Sequence, residues 1–504
     1  MQEREQWRSG LGFALAAAGS AVGLGNLWGF AYRSSQGGGL AFLILYVLVV
    51  LVVCLPVLVA EMVLGRSTAS SPFLAPIKAA GENWKPLGWL FAIASCGILS
   101  YYAVIMGWTI DTFFHSLFIG LPSDMTEAGE FFGKISSGNS VFVGQIISLL
   151  LTAFVVVAGV RGGIEKLTKW AMPFLFGLLL LLAIWAATLS GAWEGYTSFL
   201  LKWDSSQLFD KNTISNAFKQ AFFSLSLGIG IMVAYSSYLN RKNHLPKEAL
   251  RVATLDTAVG LLAGLITFPV VMSFGLKDVI SESTVGTLFI ALPTGFANLG
   301  LFGRLIAAVF FGLAFIAAIT SSISLMEVPV SSLMDRLNWS RKKAVWTSTL
   351  VIFLIGIPSA ISTDFLGKSD AICNTLLILG GLLISILLGW IVPNRYDEDL
   401  ANSNANLRVR RYLKFMLRWV SPPVIAIGLY LTILSTIETF AYSESCFHSV
   451  TPLGLSIKSI PIFFKSALIL SASKKSLLAF AKDLFLISSS ILLVSSSGLF
   501  FGFS

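Results

Sequence analysis

Long apolar runs separated by short polar connections make up most of the chain. An α-helix needs about 20 apolar residues to cross a bilayer. About eleven runs of this kind occur, near residues 10–32, 38–64, 87–119, 141–160, 168–190, 214–239, 252–276, 303–334, 344–361, 371–393 and 412–437. Because backbone groups in lipid must bond within the protein, the pattern predicts an all-α polytopic membrane protein with 11–12 transmembrane helices.

The short connections indicate a single membrane domain over residues 1–437. Residues 438–504 form a divergent tail rich in Ser and Phe, with a candidate twelfth helix near 477–503. One connection, near 277–302, is too apolar for a solvated loop, and we expect it to fold back as short helices.

Two of the apolar runs contain unusual clusters of small and polar residues. The first run reads AGSAVGLGNLWGFAY at 18–32, and the sixth reads FKQAFFSLSLGIG at 218–230. One such cluster alone is typical of close helix packing. A matched pair, five helices apart, instead predicts a 5+5 inverted-repeat transporter fold whose first and sixth helices are broken. The two repeats would span about 10–190 and 214–393, followed by an additional helix at about 412–437.

Composition and charge agree with a membrane protein. Hydrophobic residues make up 55% of the 504 positions and charged residues 12%, against about 25% charged in soluble proteins. The net charge of +9 comes from Lys and Arg concentrated in alternate loops, which predicts a cytoplasmic N-terminus. We therefore expect a multi-pass protein of the plasma (inner) membrane whose basic side contacts anionic lipid rather than nucleic acid.

The broken segments suggest what the protein binds. The N-terminal end of a half-helix attracts an anion, and freed carbonyl and hydroxyl oxygens coordinate Na⁺. The three histidines, His115, His244 and His448, have no Cys, Asp or Glu at catalytic or metal-ligand spacing, which argues against an enzyme. A channel is a weaker alternative, because a broken-helix core around an apolar pocket favours alternating access.

Five motifs together resemble the neurotransmitter:sodium symporter family, in its bacterial amino-acid transporter branch. They are REQW, GSAVGLGN, GGG with EMVLGR, SLSLGIG and AAITSS, and the resemblance covers residues 4 to about 437. It implies a sodium-coupled secondary active symporter that imports a neutral, hydrophobic amino acid by alternating access. The alternative is a non-transporting amino-acid sensor of the same fold.

The resemblance implies two co-transported Na⁺ ions. The ligands implied for one site are the carbonyls of Gly19 and Val22 with Ala317, Thr320 and Ser321. The ligands implied for the other are the Ala21 carbonyl, Asn26, Ser224, Asp256 and the carboxylate of the substrate. Neutral oxygens suit a hard cation that must also leave its site.

The resemblance also places the amino acid between the two breaks. Its carboxylate would meet the Leu24 and Gly25 amides and the Tyr102 hydroxyl. Gly23 stands where carriers of monoamines have Asp, which implies a substrate that brings its own carboxylate. The residues implied to surround the substrate are Ala21, Gly23, Leu24, Gly25, Ile98, Tyr102, Phe223, Ser224, Ser226, Ile229, Ser321 and Leu325.

The gate residues depart from the family pattern on one side. On the cytoplasmic side Arg4 and Trp7 match the N-terminal latch, with Asp335 and Tyr238 as partners. On the other side the family pattern NxWRFPY reads NLWGFAY, so that the gate arginine is replaced by Gly29. Arg33, one helical turn further on, either takes over the pairing with Asp370 or extends toward solvent.

The chloride site of the family also departs from its pattern. Chloride-dependent members have Ser where this chain has Gly260, although Tyr46 and Gln220 match the rest of that site. Asp256 replaces the usual Asn four residues earlier, and an ionisable residue inside a membrane is functional by default. We expect its carboxylate to supply the negative charge, so that no chloride is required.

Overall fold

The computed structural model describes residues 5–240, 243–276, 284–403 and 405–450, and the side chains of these ranges apart from Trp28 and residues 441–450. Every regular element in this part is a helix. The described residues up to Thr432 form one compact unit, which contains the site described below. Arg4 and the twelfth helix predicted near 477–503 lie outside the described residues.

Nine helices in the described part are long and apolar enough to cross a membrane. They are Leu40–Thr68, Glu82–Ile119, Gly138–Val157, Val160–Ala186, Leu245–Ser273, Gly300–Leu337, Arg341–Ile361, Thr363–Ile391 and Leu407–Phe440. One bent pair, Gly10–Ala21 with Gly25–Gln36, passes the same test together and gives a tenth candidate span in the described part. The shorter pair, Lys211–Ser224 with Ile231–Ser236, lies in the remaining predicted segment. The nine helices and two pairs coincide with the predicted segments, and we number them as spans one to eleven in chain order. The all-α polytopic class is confirmed.

The first span breaks at residues 22–24, and its two halves meet at 57°. Ser9 starts the first half as an N-cap, because its hydroxyl accepts a hydrogen bond from the Gly12 amide at 3.0 Å. This half ends where Val22 adopts an extended conformation, with φ −77° and ψ 102°. Gly23 and Gly25 flank the turn, and glycine is a poor helix former. The break therefore lies in the glycine cluster that predicted it.

The sixth span breaks at residues 225–230, where left-handed backbone conformations interrupt the helix. The φ angle is 53° at Ser226 and 78° at both Gly228 and Gly230. Glycine adopts these angles without the penalty of about 1–2 kcal/mol that other residues incur. Gly228 also packs against the tenth span so closely that a Cβ atom would overlap the Leu377 carbonyl oxygen. Backbone geometry and packing both require glycine at 228.

The N-terminal segment and the start of the fifth span hold each other through carboxylates. Glu165, near the start of the fifth span, accepts a hydrogen bond at 3.0 Å from the Arg8 amide, just before the first span. Glu5 accepts one at 2.6 Å from the Val160 amide, where the fifth span begins. Amides at a helix start lack intrahelical partners, and a carboxylate there also stabilises the helix dipole. Glu5 therefore holds the start of the fifth span, and Glu165 holds the residue that precedes the N-cap of the first span.

The apolar connection near 277–302 folds back as predicted over its described part. It forms the helix Thr287–Ala297. The Phe289 ring packs edge-on against Trp108, with centroids 5.7 Å apart, and stacks on Phe132 at 5.8 Å. Aromatic pairs at these distances contribute beyond the area that they bury. The connection is therefore packed onto the third span rather than solvated.

We expect Gly228→Ala to lower the free energy of unfolding by at least about 2 kcal/mol, because the added methyl group combines a left-handed φ with a backbone overlap. Gly177→Ala is the matched control, since Gly177 lies within the fifth span with open space around its Cβ position. The control should be neutral or slightly stabilising. Thermal unfolding in detergent measures both variants, and equal melting temperatures would contradict the assignment.

Candidate functional site

A small buried cavity lies where the two broken spans meet the third, eighth and tenth spans. Its free volume is about 30 Å³, enough for one or two water molecules. The lining residues are Ser20, Ala21, Gly23, Gly25, Asn26, Ile98, Tyr102, Phe223, Ser226, Ile229, Ser321, Leu325 and Leu377. The cavity thus combines the backbone of both breaks with apolar side chains.

The predicted substrate residues lie around this cavity, apart from Leu24 and Ser224. Leu24 contributes its amide to a neighbouring hydrogen bond, and Ser224 turns toward the seventh span. Three lining residues are absent from the predicted substrate set: Asn26, which was predicted as a sodium ligand, and Ser20 and Leu377, which were not predicted. Nothing in the sequence distinguishes Leu377 from the other leucines of its span, because only the packing of the tenth span brings it here.

The polar end of the cavity is formed by the first break and the third span. The Tyr102 hydroxyl accepts a hydrogen bond from the Leu24 amide at 3.1 Å. A Cβ atom at Gly23 would lie 2.6 Å from the Ser321 hydroxyl oxygen and 3.0 Å from that of Tyr102. A side chain at position 23 would therefore fill this end, and glycine keeps it open.

Five of the predicted sodium ligands converge between the first and eighth spans. The Ser321 hydroxyl oxygen lies 3.5 Å from the Gly19 carbonyl oxygen and 3.3 Å from that of Val22. It lies 3.4 Å from the Ala317 carbonyl oxygen, which also accepts a bond from the Thr320 hydroxyl at 2.9 Å. Adjacent oxygens around a cation held by bonds of about 2.3–2.6 Å are roughly 3.3–3.7 Å apart. The Ser321 spacings match such a shell.

The Asp256 carboxylate is the charged centre of the other predicted sodium site, and it is fully buried. The Ser224 hydroxyl lies 2.6 Å from both of its oxygens. The Asn26 side-chain nitrogen donates to Oδ1 at 2.8 Å, and the Tyr46 hydroxyl donates to Oδ2 at 3.1 Å. Donors from three other spans therefore meet at one carboxylate, as a buried charge requires.

The Asn26 side chain turns its amide nitrogen toward Asp256, whereas its amide oxygen was predicted to bind a cation there. Its nitrogen faces Asp256, while its oxygen accepts a hydrogen bond from the Gly23 amide at 3.2 Å. Ala21, whose carbonyl was predicted to join the same site, lines the cavity. The two ends of an amide have nearly the same shape, so a half-turn of the side chain exchanges them.

Trp7 joins the N-terminal segment to the sixth span. Its indole nitrogen donates to the Tyr235 carbonyl at 2.8 Å, and its backbone amide donates to the Tyr238 carbonyl at 3.2 Å. The Asp335 carboxylate accepts a bond from the Ser71 amide at 2.7 Å. The structure thus brings Trp7 and Tyr238 together, whereas Asp335 contacts the link that follows the second span.

A buried ion pair that was not predicted from the sequence lies beside Tyr238. Glu327 of the eighth span accepts a hydrogen bond from the Tyr238 hydroxyl at 2.8 Å and pairs with Arg341 at 2.5 Å. Arg341 also donates to the Val156 carbonyl at 2.7 Å. Glu327 could have been identified from the sequence, because a carboxylate within a membrane span usually has a functional role or an oppositely charged partner.

A second unpredicted carboxylate supports the sixth break. Glu61 of the second span is fully buried, and its Oε1 accepts a hydrogen bond from the Gly228 amide at 2.6 Å. Glu61 is the first residue of the EMVLGR motif, and the family resemblance implied no role for it. Its position shows that the second span satisfies a backbone amide that the break exposes.

The remaining predicted gate residues, Arg33 and Asp370, also have polar partners. The Arg33 guanidinium donates to the Gln220 side-chain oxygen. The Asp370 carboxylate accepts a hydrogen bond from the Tyr101 hydroxyl at 2.9 Å. Both therefore belong to polar contacts beside the cavity-lining residues of the sixth and third spans.

Comparison with known proteins agrees with this geometry. The model of the sodium:neurotransmitter symporter family matches residues 4–129 and 125–468. An uncharacterized sodium-dependent transporter of Methanocaldococcus jannaschii is 34% identical over 494 residues, which are 94% of this chain and 98% of the relative. Another, YhdH of Bacillus subtilis, is 36% identical over 444 residues, covering 84% and 97%.

The crystal structure of MhsT in complex with L-phenylalanine is also similar. It has 37% sequence identity and a TM-score of 0.78, and the match covers 85% of this chain and 100% of MhsT. Sequence and fold therefore lead to the same assignment. The chain belongs to the sodium:neurotransmitter symporter family, which is a family of membrane transporters and not of enzymes.

Proposed function

We propose that this protein is a secondary active symporter that couples the entry of Na⁺ to the import of a neutral amino acid with an apolar side chain. The observation that carries the proposal is the convergence of the Gly19, Val22, Ala317, Thr320 and Ser321 oxygens next to the cavity. Neutral oxygens at these spacings suit a cation that is bound and then released.

The lining of the cavity supports an amino-acid substrate. The Leu24 and Gly25 amides and the Tyr102 hydroxyl would bind the carboxylate, because half-helix N-termini attract anions. Ile98, Phe223, Ile229 and Leu325 offer apolar contacts to the side chain. MhsT, a related transporter, was crystallised with L-phenylalanine. A hydrophobic amino acid is the substrate class that fits best.

The cluster around Asp256 supports a second cation site that needs no chloride. A half-turn of Asn26 would give this site an amide oxygen beside the carboxylate, Ser224 and the Ala21 carbonyl. Position 260 has no room for the serine of chloride-dependent members, since its Cβ atom would lie 2.9 Å from the Phe30 ring. The negative charge of Asp256 would then balance the bound cation. In chloride-dependent members of the family, a chloride ion supplies that negative charge.

Two ions would supply a large driving force. A tenfold Na⁺ gradient and a potential of 100 mV together contribute about 7 kcal/mol for two ions. That could sustain roughly a 10⁵-fold gradient of a zwitterionic amino acid. The protein would lie in the plasma membrane with its N-terminus in the cytoplasm. In that orientation, the contacts of Trp7 and Glu327 would close the cytoplasmic side of the transport pathway.

The alternative is an amino-acid sensor of the same fold that binds without transport. Its support is the missing gate arginine at Gly29, because altered gates accompany lost transport. A symporter would both bind and take up the amino acid, whereas a sensor would bind it without uptake.

Purified protein in proteoliposomes should take up a radiolabelled hydrophobic amino acid only when Na⁺ is present outside, with inward positive current. Aromatic and branched-chain amino acids should compete, whereas lysine and glutamate should not. Protein-free liposomes and choline replacement are the controls. Undiminished uptake without Na⁺ would contradict the symporter, and Na⁺-dependent binding without uptake would establish the sensor.

Ser321→Ala should raise the Na⁺ concentration needed for half-maximal amino-acid binding about tenfold, because one oxygen is removed from a neutral shell. Ser331→Ala is the matched control, since Ser331 is buried in the same helix and donates only to the Glu327 and Val328 carbonyls. Scintillation proximity binding across a Na⁺ titration gives both values. Equal Na⁺ dependence in the two variants would show that Ser321 is not a ligand.

Asp256→Asn should reduce uptake at least about tenfold, because the site then lacks the charge that balances its cation. The wild type should transport equally well in chloride and in gluconate. Asp364→Asn serves as the control, since Asp364 is an exposed carboxylate paired with Lys368. Chloride-dependent uptake by the wild type, or full activity of Asp256→Asn in gluconate, would refute the proposed role.

A further inference from the structure

The eleventh span is longer than the core of a bilayer, and its surplus length is basic. It runs from Leu407 to Phe440, or 34 residues, which is about 51 Å of helix against a hydrocarbon core of about 30 Å. The 19 residues between Arg418 and Glu438 carry no charge and suffice to cross that core. Five cations lie in the turns before them, namely Arg408, Arg410, Arg411, Lys414 and Arg418. The start of this helix therefore lies at the level of the phospholipid headgroups.

A pair of tryptophans marks the depth at which the helix enters the apolar layer. The Trp390 and Trp419 rings pack edge-on, with centroids 4.7 Å apart. The Arg418 guanidinium lies 4.5 Å from the Trp390 centroid and 5.5 Å from that of Trp419. The Trp390 indole nitrogen donates to the Arg418 carbonyl at 2.9 Å. Because tryptophan is enriched at membrane interfaces, the turns before Arg418 lie among the headgroups.

The first turns of this helix have one buried face and one exposed face. Leu413 and Leu417 are buried. The opposite face exposes five side chains at spacings of three or four residues, namely Arg408, Arg411, Tyr412, Phe415 and Trp419. Only 28% of the most apolar stretch of this span is buried within the protein, the smallest share among the nine long helices of the described part. The exposed face is therefore open to lipid, with two guanidinium groups at its polar end and aromatic rings toward the apolar layer.

Arg408 and Arg411 have no ion-pair partner within the described residues, whereas Lys414 is paired with Asp397. The sequence contains no acidic residue from 400 to 437. Like charges one turn apart destabilise a helix, so an anion between the two arginines would relieve their repulsion. A guanidinium donates two parallel hydrogen bonds to phosphate oxygens. The two arginines therefore fit a phosphate group.

We propose that Arg408 and Arg411 bind the headgroup phosphate of an anionic phospholipid, whose chains lie along Phe415 and Trp419. A headgroup with a net negative charge is the better partner, because a zwitterionic headgroup brings its own cation into a region that already holds five. The attraction of a basic membrane side for anionic lipid is diffuse, whereas this site joins guanidinium groups, exposed rings and a lipid-facing helix in one place. None of these residues lines the amino-acid cavity, so the site needs neither the amino acid nor Na⁺.

The test counts the lipids that the purified full-length protein binds in detergent, by native mass spectrometry across a titration of phosphatidylglycerol or phosphatidylcholine. The wild type should reach half-saturation at an about tenfold lower concentration of phosphatidylglycerol. Arg408→Gln/Arg411→Gln should abolish this preference, because the groups that distinguish the two headgroups are gone. Arg408→Lys/Arg411→Lys should leave a preference of about threefold, since lysine keeps the charge without the planar fork.

Lys78→Gln/Lys85→Gln is the matched control, because it removes two cations from the connection between the second and third spans. Lys78 is exposed, and Lys85 is a half-exposed side chain near Glu82. The preference of this variant for phosphatidylglycerol should equal that of the wild type. All variants should melt at the wild-type temperature without added lipid, since the substituted side chains lie at the surface.

An unchanged preference in Arg408→Gln/Arg411→Gln would overturn the site, and so would an equal loss in the control variant, because the attraction would then be diffuse. Excess inorganic phosphate should not displace the lipid, since phosphate has no chains to lie along Phe415 and Trp419. Displacement by phosphate would show a site for a soluble anion instead of a lipid. The titrations contain neither Na⁺ nor an amino acid, so they give the same answer whether or not the protein is a symporter.

Discussion

The requirement that buried backbone groups find partners governs this structure. An unpaired amide or carbonyl inside a membrane costs several kcal/mol, and two of the spans expose such groups in their middle. The Leu24 amide bonds to the Tyr102 hydroxyl, and the Gly228 amide bonds to the Glu61 carboxylate. The Ser226 hydroxyl donates across the gap to the Ser20 carbonyl at 3.0 Å. The breaks are therefore stabilised by one another and by the spans around them.

The same need for partners would suit the two breaks to the binding role proposed above. A carbonyl, amide or hydroxyl that is satisfied by a neighbouring side chain can exchange that partner for an ion or a carboxylate. The Ser321 hydroxyl oxygen lies 3.2–3.5 Å from the carbonyl oxygens of Gly19, Ser20, Val22 and Ala317, and the Asn26 amide can present either end. Breaking a helix therefore frees backbone carbonyl and amide groups, which every protein contains and which are able to bind ions.

Charged residues within the bundle have either an opposite charge or hydrogen-bonding groups as partners, as buried charges require. Glu327 is paired with Arg341, the Asp256 carboxylate has three donors, and Arg33 has Gln220 as its neighbour. These contacts connect different spans, so each of them couples two parts of the bundle. A transporter that alternates between two open sides needs such contacts, because they can break on one side while they form on the other.

The sequence alone determined the class of the protein, since apolar runs of membrane length leave the backbone little choice but helix. It also located both breaks, because glycine at 23 and 228 disfavours helix wherever it occurs. Only the tertiary structure decided which side chains form hydrogen bonds with the backbone groups that the breaks expose. Glu61 and Leu377 approach the sixth break from spans far away in the chain, and no local pattern encodes that approach. Local preference sets where a helix ends, whereas contacts across the bundle depend on the packing of all spans together.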